Sequence, residues 1–469
     1  MKIVITHCLS DSNKGVLAVL MATVRKIRAA QPEARITLQS MYAEAHENFA
    51  YHCRFMRAEG VEVEEGLLPT PYVSDSAIGL KDDVKAVCRL VFGLLAAYLL
   101  PVLPVWLRPI FGRQAAAFET LKSADLILMK GGHDICNDRG GLRGKLYVWR
   151  IVKNLSLCAA TGVPVVLLGQ SVDDMRSDYE RRWVAKTLKR CSKVLVRDDI
   201  SQTLLKSMGV VDNVVLAPDM AFLTELEEPR TDVLKGIDLK GIDGKLMGVT
   251  VVNWHNTDID GRSGDEIMEH YVATFATTLA NVHEEHGIAP VFMPQDTSVF
   301  HDAGDMDVIR EVVDKLAQRN VPSYIIDDDL SPAALAWVYG RCELVLGTRF
   351  HSCVFAAAAG TPVIAVEYQG TKSRGLMRSL GMEEYVHGID TIEEEALTRS
   401  ARDVIRRRTE LSRALSATVT AMRDSLDVTV SDVLEEFGVA EIRYQETVED
   451  RYGARRPAAF ASSASHVVS

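Results

Sequence analysis

No CxxC pair or other zinc spacing occurs among the cysteines of this chain, although the sequence holds eight of them. That scatter argues against a disulfide framework and suits reduced core thiols of a cytoplasmic protein. Histidine pairs are lacking too. His133, His255 and His301 have no HxH or HxxxH partner, so no metal site is expected. No basic run is long enough to neutralise a phosphate backbone against a net charge of -11, which excludes a nucleic-acid partner while leaving room for a local anion site. The opening MKIVITHC lacks a cleavable secretory pattern and reads as a first strand. Long apolar runs are also absent, with one exception.

That exception is LVFGLLAAYLLPVLPVWL, residues 90–107, flanked by Lys81, Lys85, Arg89, Arg108 and Arg113. Its length nearly suits a bilayer span. Pro101 and Pro104 break it, however, and the helix that remains, Leu90 to Leu100, is too short to cross at about 1.5 Å per residue. A crossing would also separate strands that belong to one sheet. We therefore expect an interfacial, membrane-facing helical hairpin; the competing reading is a cover for the core or a contact between subunits.

What fills the rest is alternation. Strand-like runs at Lys2–Thr6, Ile36–Gln39, Val61–Val63, Leu126–Met129, Val163–Leu168, Lys193–Val196 and Val214–Leu216 are separated by helical patterns such as Gly15–Ala30 and Glu180–Cys191. A second series follows at Met247–Val252, Pro290–Met293, Ser323–Ile326, Glu343–Leu346 and Val363–Val366. Repeated βα alternation implies parallel sheets with right-handed crossovers. The fold class is therefore α/β, with two doubly wound, Rossmann-like domains facing a cleft. The first domain spans 1–225 with an apolar insertion at 90–112, a hydrophilic linker covers 226–245, and the second domain spans 246–440. Residues 393–436 read as charged amphipathic helices closing the second domain, and 441–469 as a partly disordered tail.

Ligands of open α/β sheets bind outside the carboxyl ends of the strands. The loops there carry His7 to Asn13, Gly131 to Asp134, Gly169 to Ser171, Arg197 to Asp199, Pro218 and Asp219, Asn253 to Asn256, Pro294 to Asp296, Asp327 to Asp329, and Arg349 to His351. Each has a structural reading beside the functional one. Gly131 and Gly132 suit a tight turn, Arg197 and Asp198 an ion pair at a helix start, Asp219 a cap, and Asp327 to Asp329 a solvated turn before the helix near Ser331. Arg349 is different: directly after a buried strand it must reach the cleft or be paired, because unpaired burial is too costly.

Several segments together resemble the polysaccharide pyruvyl transferase family, whose members move a pyruvyl group from phosphoenolpyruvate onto sugars of cell-surface polysaccharides. Asn13-Lys14-Gly15 resembles the family's opening N-x-G loop, with Val16 where an acidic residue often follows. ADLILMKGGHDICND resembles its glycine-rich second loop, KVLVRDDISQTLLKSMGV its V-R-D-x-x-S segment, and VVLAPDMAF the aspartate loop after it. GTRFHSCVFAAAAGTPVIAVEYQGTK resembles the R-x-H segment with its trailing Tyr368 and Lys372, and is the most specific of these blocks.

The resemblance implies a two-domain fold similar to the glycosyltransferase-B arrangement, with the acceptor on the first domain and the donor on the second. It implies phosphoenolpyruvate as co-substrate, no cofactor and no metal. Arg197, Arg349, Ser352 and Lys372 would bind the donor, Arg349 and His351 would stabilise the leaving phosphate and carry a proton, and Asn13, Gly131, Gly132 and Gln295 would meet the acceptor. Asp134 or Asp219 would serve as a base or orienter, a choice left open. The acceptor is a glycan or a lipid-linked oligosaccharide, met at the cytoplasmic face through peripheral membrane contact by 90–107. Two rivals remain: a glycosyltransferase using a nucleotide sugar, against which no E-x-x-x-x-x-x-E pattern follows residue 351, and a non-catalytic glycan-binding member.

Overall fold

The computed structural model describes residues 1–46, 49, 53–70, 80–137, 141–229, 246–254, 262–297 and 304–439. His255, Asn256 and His301, most of the expected linker and the expected tail lie outside the described residues.

The first sheet is built from β1 (Lys2–Cys8), β2 (Arg35–Ser40), β3 (Glu62–Glu65), β4 (Leu126–Met129), β5 (Gly132–Ile135), β6 (Val165–Val172), β7 (Lys193–Val196) and β8 (Val214–Leu216). Its order is β3-β2-β1-β4-β6-β7-β8, with β5 beside β6 and every pairing parallel. The second sheet runs β11-β10-β9-β12-β13-β14, also parallel, where β9 is Leu246–Thr250, β10 Ala289–Phe292, β11 Tyr324–Ile325, β12 Leu344–Gly347, β13 Val363–Glu367 and β14 Val386–Gly388. Central strands such as β4, LILM, and β6, VVLLGQSV, are buried at every position. That is why they read as continuous apolar runs rather than alternating ones.

The helices of the first half are α1 (Lys14–Ala30), α2 (Arg54–Ala58), α3 (Leu80–Leu99), α4 (Gly112–Lys122), α5 (Gly141–Ala160), α6 (Asp178–Leu188) and α7 (Asp199–Ser207). Those of the second are α8 (Gly264–His286), α9 (Asp305–Ala317), α10 (Pro332–Tyr339), α11 (Phe350–Ala358), α12 (Lys372–Ser379) and α13 (Glu394–Glu436). Their starts follow from local chemistry. Asn13, Ser177, Asp198, Ser263 and Ser331 each accept a bond from a first-turn backbone N–H. In both sheets the winding reverses beside the first strand, between β1 and β4 and between β9 and β12, so both crevices open at the same kind of switch point.

Three sequence expectations change. Gly132 to Asp134, read as loop, belong to a strand, because the chain kinks at Gly131 and then continues beside β6. The charged segment near the C-terminus is one helix of 43 residues rather than several, since no glycine or proline interrupts Glu394–Glu436 and Leu397, Ala401, Val404, Leu411, Leu415 and Val419 form a continuous buried stripe. It also does more than close the second domain. Lys26 of α1 pairs with Asp427, Lys193 lies 3.1 Å from Glu436, and Arg423 donates to Phe222 O (2.7 Å), Thr224 O (3.3 Å) and Ala358 O (3.2 Å). One helix thus ties both domains.

The apolar insertion breaks at Pro101 and Pro104 as its sequence requires: α3 ends at Leu99, and a 3-10 turn, Val105–Phe111, leads into α4. Ala96, Ala97 and Leu100 pack into the core on one side. The other side stays in solvent, with Val102 75% and Trp106 76% exposed at the bend. Among the described residues no helix is long and apolar enough to cross a membrane.

The replacement Arg423→Ala removes three bonds to backbone carbonyls, two of which span the domain boundary, and should cost about 1–3 kcal/mol. The expected reading is a lower urea midpoint with an unchanged slope, and an unchanged midpoint would contradict this tie.

Candidate functional site

The site begins where β12 ends. Thr250 Oγ1 accepts from the backbone of Thr348 (3.2 Å) and Arg349 (3.3 Å), which turns the chain into α11. Gly347 is required there, because a Cβ would stand 2.8 Å from both Ser352 Oγ and Cys353 Sγ. Arg349 follows with its guanidinium inside. Its Nε lies 3.0 Å from Asp305 Oδ1, and Nη2 bonds the same oxygen. The other carboxylate oxygen of Asp305 accepts from the backbone N–H of Gln295 (2.9 Å) and Asp296 (3.1 Å). Burial alone would lower the arginine's pKa, but Asp305 outweighs it and holds the group well above its ordinary value.

A matching pair stands on the first domain. Arg197, at the end of β7, donates through Nε to Ser171 Oγ (2.7 Å) and through Nη1 to Asp219 Oδ2 (2.5 Å), while its plane lies 4.0 Å from the Phe350 ring. Asp219 also caps the following turn, accepting from Ala221 N at 2.7 Å. Burial works against its charge; Arg197 and then His351 overcome that and hold the carboxyl below its usual range. Asp198, by contrast, does not pair with Arg197. It accepts from Ser171 Oγ (2.7 Å) and caps α7 through Ser201 N (2.7 Å).

Between these pairs sits His351. Its Nε2 lies 3.8 Å from Asp219 Oδ2 and, among the described residues, makes no hydrogen bond. Burial drives its pKa down to about 4; Asp219 opposes this, while Arg197, Lys372 and Lys130 push the same way. The ring is neutral at pH 7. It packs on the first turn of α1, where a Cβ on Gly15 would come within 1.9 Å of Nδ1.

Further cations complete the cluster. Lys130 Nζ is 2.7 Å from Asp134 Oδ2, with both side chains buried. Lys372, also buried, reaches Gln369 Oε1 at 2.7 Å, lies 4.8 Å from the Tyr368 ring and meets no described carboxylate at ion-pairing distance. Burial would raise the pKa of Tyr368, yet Lys372 and Arg349 outweigh it and pull the phenol below its ordinary value. Three buried cations, Lys130, Arg197 and Lys372, thus act on one neutral imidazole, and Arg349 stands two residues before it in the chain. Among the described residues no three His, Cys, Asp or Glu side chains gather as a metal would need.

A family model for polysaccharide pyruvyl transferases matches residues 17–370. The chain belongs to the polysaccharide pyruvyl transferase family, and it is a transferase. It is 22% identical over 325 residues to the amylovoran biosynthesis protein AmsJ of Erwinia amylovora, covering 68% of this chain and 75% of that one. Among solved structures it resembles HepE of Anabaena in complex with UDP (TM-score 0.51, 13% identity, 93% of this chain and 99% of that one). It also resembles the UDP-GlcNAc 2-epimerase of Neisseria meningitidis bound to UDP-GlcNAc (0.55, 10%, 93% and 100%). Those likenesses establish the glycosyltransferase-B type of fold, two Rossmann-like domains about a cleft.

Against the family pattern, the residues expected from sequence fall into two groups. Arg197, Asp219, Arg349, His351 and Lys372 come together, with Asp134 held beside them by Lys130. Ser352 does not face a donor: its hydroxyl is fully buried, donating to Arg349 O (2.5 Å) and bonded to Thr250 Oγ1 (2.8 Å). Gln295 is turned inward as well, its amide nitrogen 2.8 Å from Tyr339 Oη. Asn13 caps α1 through Val16 N (3.2 Å), and its backbone forms a bridge with Asp296. Gly131 admits the backbone, since a Cβ would lie 2.5 Å from Leu168 O, and Gly132 opens β5. Asp329 is no solvated turn: it pairs with Lys14 and Arg54 across the domain boundary, and Ser331 supplies the helix cap.

Sequence reasoning missed Asp305, Lys130 and the pair His133–Asp173, whose Nε2 and Oδ2 are 2.7 Å apart. Only the rule that a buried arginine needs a partner pointed towards Asp305, and it gave no position.

The contact at Gly15 is directly testable. Gly15→Ala should displace the His351 ring and reduce turnover at least tenfold while changing the melting temperature by only a few degrees. Activity equal to the unaltered protein would show that the ring is not held there.

Proposed function

We propose that this transferase moves the pyruvyl group of phosphoenolpyruvate onto two hydroxyls of a sugar in a cell-surface polysaccharide or its lipid-linked precursor, forming a pyruvate ketal. The observation that supports it best is a neutral histidine, 3.8 Å from Asp219, that the buried cations Lys130, Arg197 and Lys372 all act on, with the Arg349–Asp305 pair two residues before it.

Phosphoenolpyruvate brings a carboxylate and a phosphate, close to three negative charges. The two arginines do not offer it bidentate forks, because those edges already hold Asp305, Asp219 and Ser171. What supports anion binding is Lys372, which meets no described carboxylate at ion-pairing distance, together with the backbone N–H groups opening α11. The paired arginines supply a rigid positive wall that needs no reorganisation as charge moves to the departing phosphate.

Ketal formation adds two hydroxyls to C2, protonates C3 and expels phosphate. His351 is neutral at pH 7, so it enters as a base, accepting the proton of an attacking hydroxyl; Asp219 then stabilises the imidazolium. Asp134, tied to Lys130, orients rather than deprotonates. The scheme uses phosphoenolpyruvate as co-substrate and requires no resident cofactor or metal.

The exposed bend around Val102 and Trp106 supports the membrane part of the reading, a peripheral protein at the cytoplasmic face taking a lipid-linked acceptor. Replacing Val102 and Trp106 by Asp should lower co-sedimentation with anionic liposomes at least tenfold. Equal sedimentation of both proteins would remove this part of the proposal and leave the chemistry standing.

The chemistry is tested with labelled phosphoenolpyruvate and an envelope extract from cells lacking this chain. His351→Ala and Arg349→Lys are expected to reduce transfer by at least 100-fold. The lysine is chosen because Arg349→Ala would strand Asp305 and cost about 3–5 kcal/mol of stability. Near-normal transfer by either variant would overturn the mechanism. Thermal stabilisation by a nucleotide sugar but not by phosphoenolpyruvate would favour a glycosyltransferase, and stabilisation by glycan alone a binding role.

A further inference from the structure

Three buried histidines stand at the carboxyl edge of the first sheet or against it, and they are not alike. His7 has both ring nitrogens engaged, Nδ1 with Thr6 Oγ1 (2.8 Å) and Nε2 with Ile151 O (3.3 Å), as a structural histidine should. His133 does not. Its Nε2 is 2.7 Å from Asp173 Oδ2, while Nδ1 is buried and, among the described residues, has no hydrogen-bond partner. An ionised carboxylate only accepts, so Nε2 carries the proton and Nδ1 presents a bare lone pair. Leaving such a buried acceptor unmatched is costly, and in native proteins it calls for a reason.

The pair is completed by the second domain. The Asp173 carboxylate packs so closely on Gly370 that a Cβ there would stand 2.0 Å from Oδ2, and Gly370 has φ +56°. The backbone of Thr371 bonds the same carboxylate, and Lys372 comes next in the chain. The charged groups facing His133 are Asp173, Lys372 and Arg197; Lys372 and Arg197 also face His351. Both imidazoles therefore feel the same two cations.

The proposed reaction moves two hydroxyl protons. The C2–O bond to phosphate breaks and two C2–O bonds to the sugar form. Two hydroxyl protons leave, one replacement proton reaches C3 to make the methyl group, and one stays with the departing hydrogen phosphate. Charge balances at three negative on each side. A single neutral imidazole carries these protons only one after the other, whereas two imidazoles carry one each.

We propose that His133, oriented by Asp173, is the second proton carrier of the site: Nδ1 takes the proton of one acceptor hydroxyl while His351 takes the other. This rests on the pyruvyl-transfer reading. Each imidazolium then returns its proton, one to C3 and one to the phosphate oxygen, and both rings end neutral.

The test uses the full chain with labelled phosphoenolpyruvate and the same envelope extract. H133Q keeps a donor towards Asp173 but removes the basic nitrogen. It should bind phosphoenolpyruvate within threefold of the unaltered protein by calorimetry, lose at least 100-fold in kcat, and lose one ionisation from the acid side of the kcat profile. Asp173→Asn should lose about tenfold and move that ionisation, and it carries the same expectation if H133Q does not fold. H133Q turning over within threefold, with the original pH profile, would overturn this role while leaving pyruvyl transfer intact. An unaltered protein that releases no phosphate and transfers no label would instead overturn the reading on which it rests.

Discussion

A cation buried at the end of a parallel strand has to be matched, and that constraint organises the whole cleft. Lys130 after β4, Arg197 after β7 and Arg349 after β12 all sit just past apolar strands, where an unpaired charge would be prohibitive. Each takes one carboxylate, Asp134, Asp219 and Asp305. The pairs fix the loops, the loops aim His351, and the leftover charge of Lys372 is what an incoming anion can use. Removing any one carboxylate would change the charge and the shape of the site together.

The second constraint is steric and runs across the domain boundary. Gly15 leaves room for the His351 ring, Gly370 for the Asp173 carboxylate, and Gly375 for Asp198, whose Cβ would stand 2.7 Å from an added one. At all three places a side chain of one domain occupies the space a Cβ of the other would need. The domains therefore approach each other through backbone, which lets charged groups from both meet without long side chains. Helix α13 holds that approach from behind, by contacts far from the chemistry.

Much of this was legible in sequence because apolar runs separated by polar strand ends are what parallel sheets require. The two sheets, the breaks at Pro101 and Pro104, and the gathering of Arg197, Asp219, Arg349 and His351 followed from that pattern and the family resemblance. What escaped was pairing across sequence. Asp305 lies 44 residues before Arg349 and reads as an ordinary first-turn acid of α9. Asp173 lies 40 residues after His133 and carries no local signal. Ser352 erred in the opposite direction: a polar residue beside a site looks available, yet its hydroxyl is consumed by Thr250 and Arg349, and Gln295 spends its amide nitrogen on Tyr339. Spacing reveals which residues reach the edge of a sheet, and only packing decides where their donors turn.

The position of the apolar hairpin gains meaning from the same geometry. A cavity of about 560 Å³ lies between it and the carboxyl ends of β2 and β3, lined by Ala43, Leu68, Phe92, Phe111, Arg89 and Trp149 among others. The hairpin thus stands at the β3 edge of the first sheet, with β2 and β1 between it and β4, three strand spacings or about 14 Å from Lys130 and Gly131.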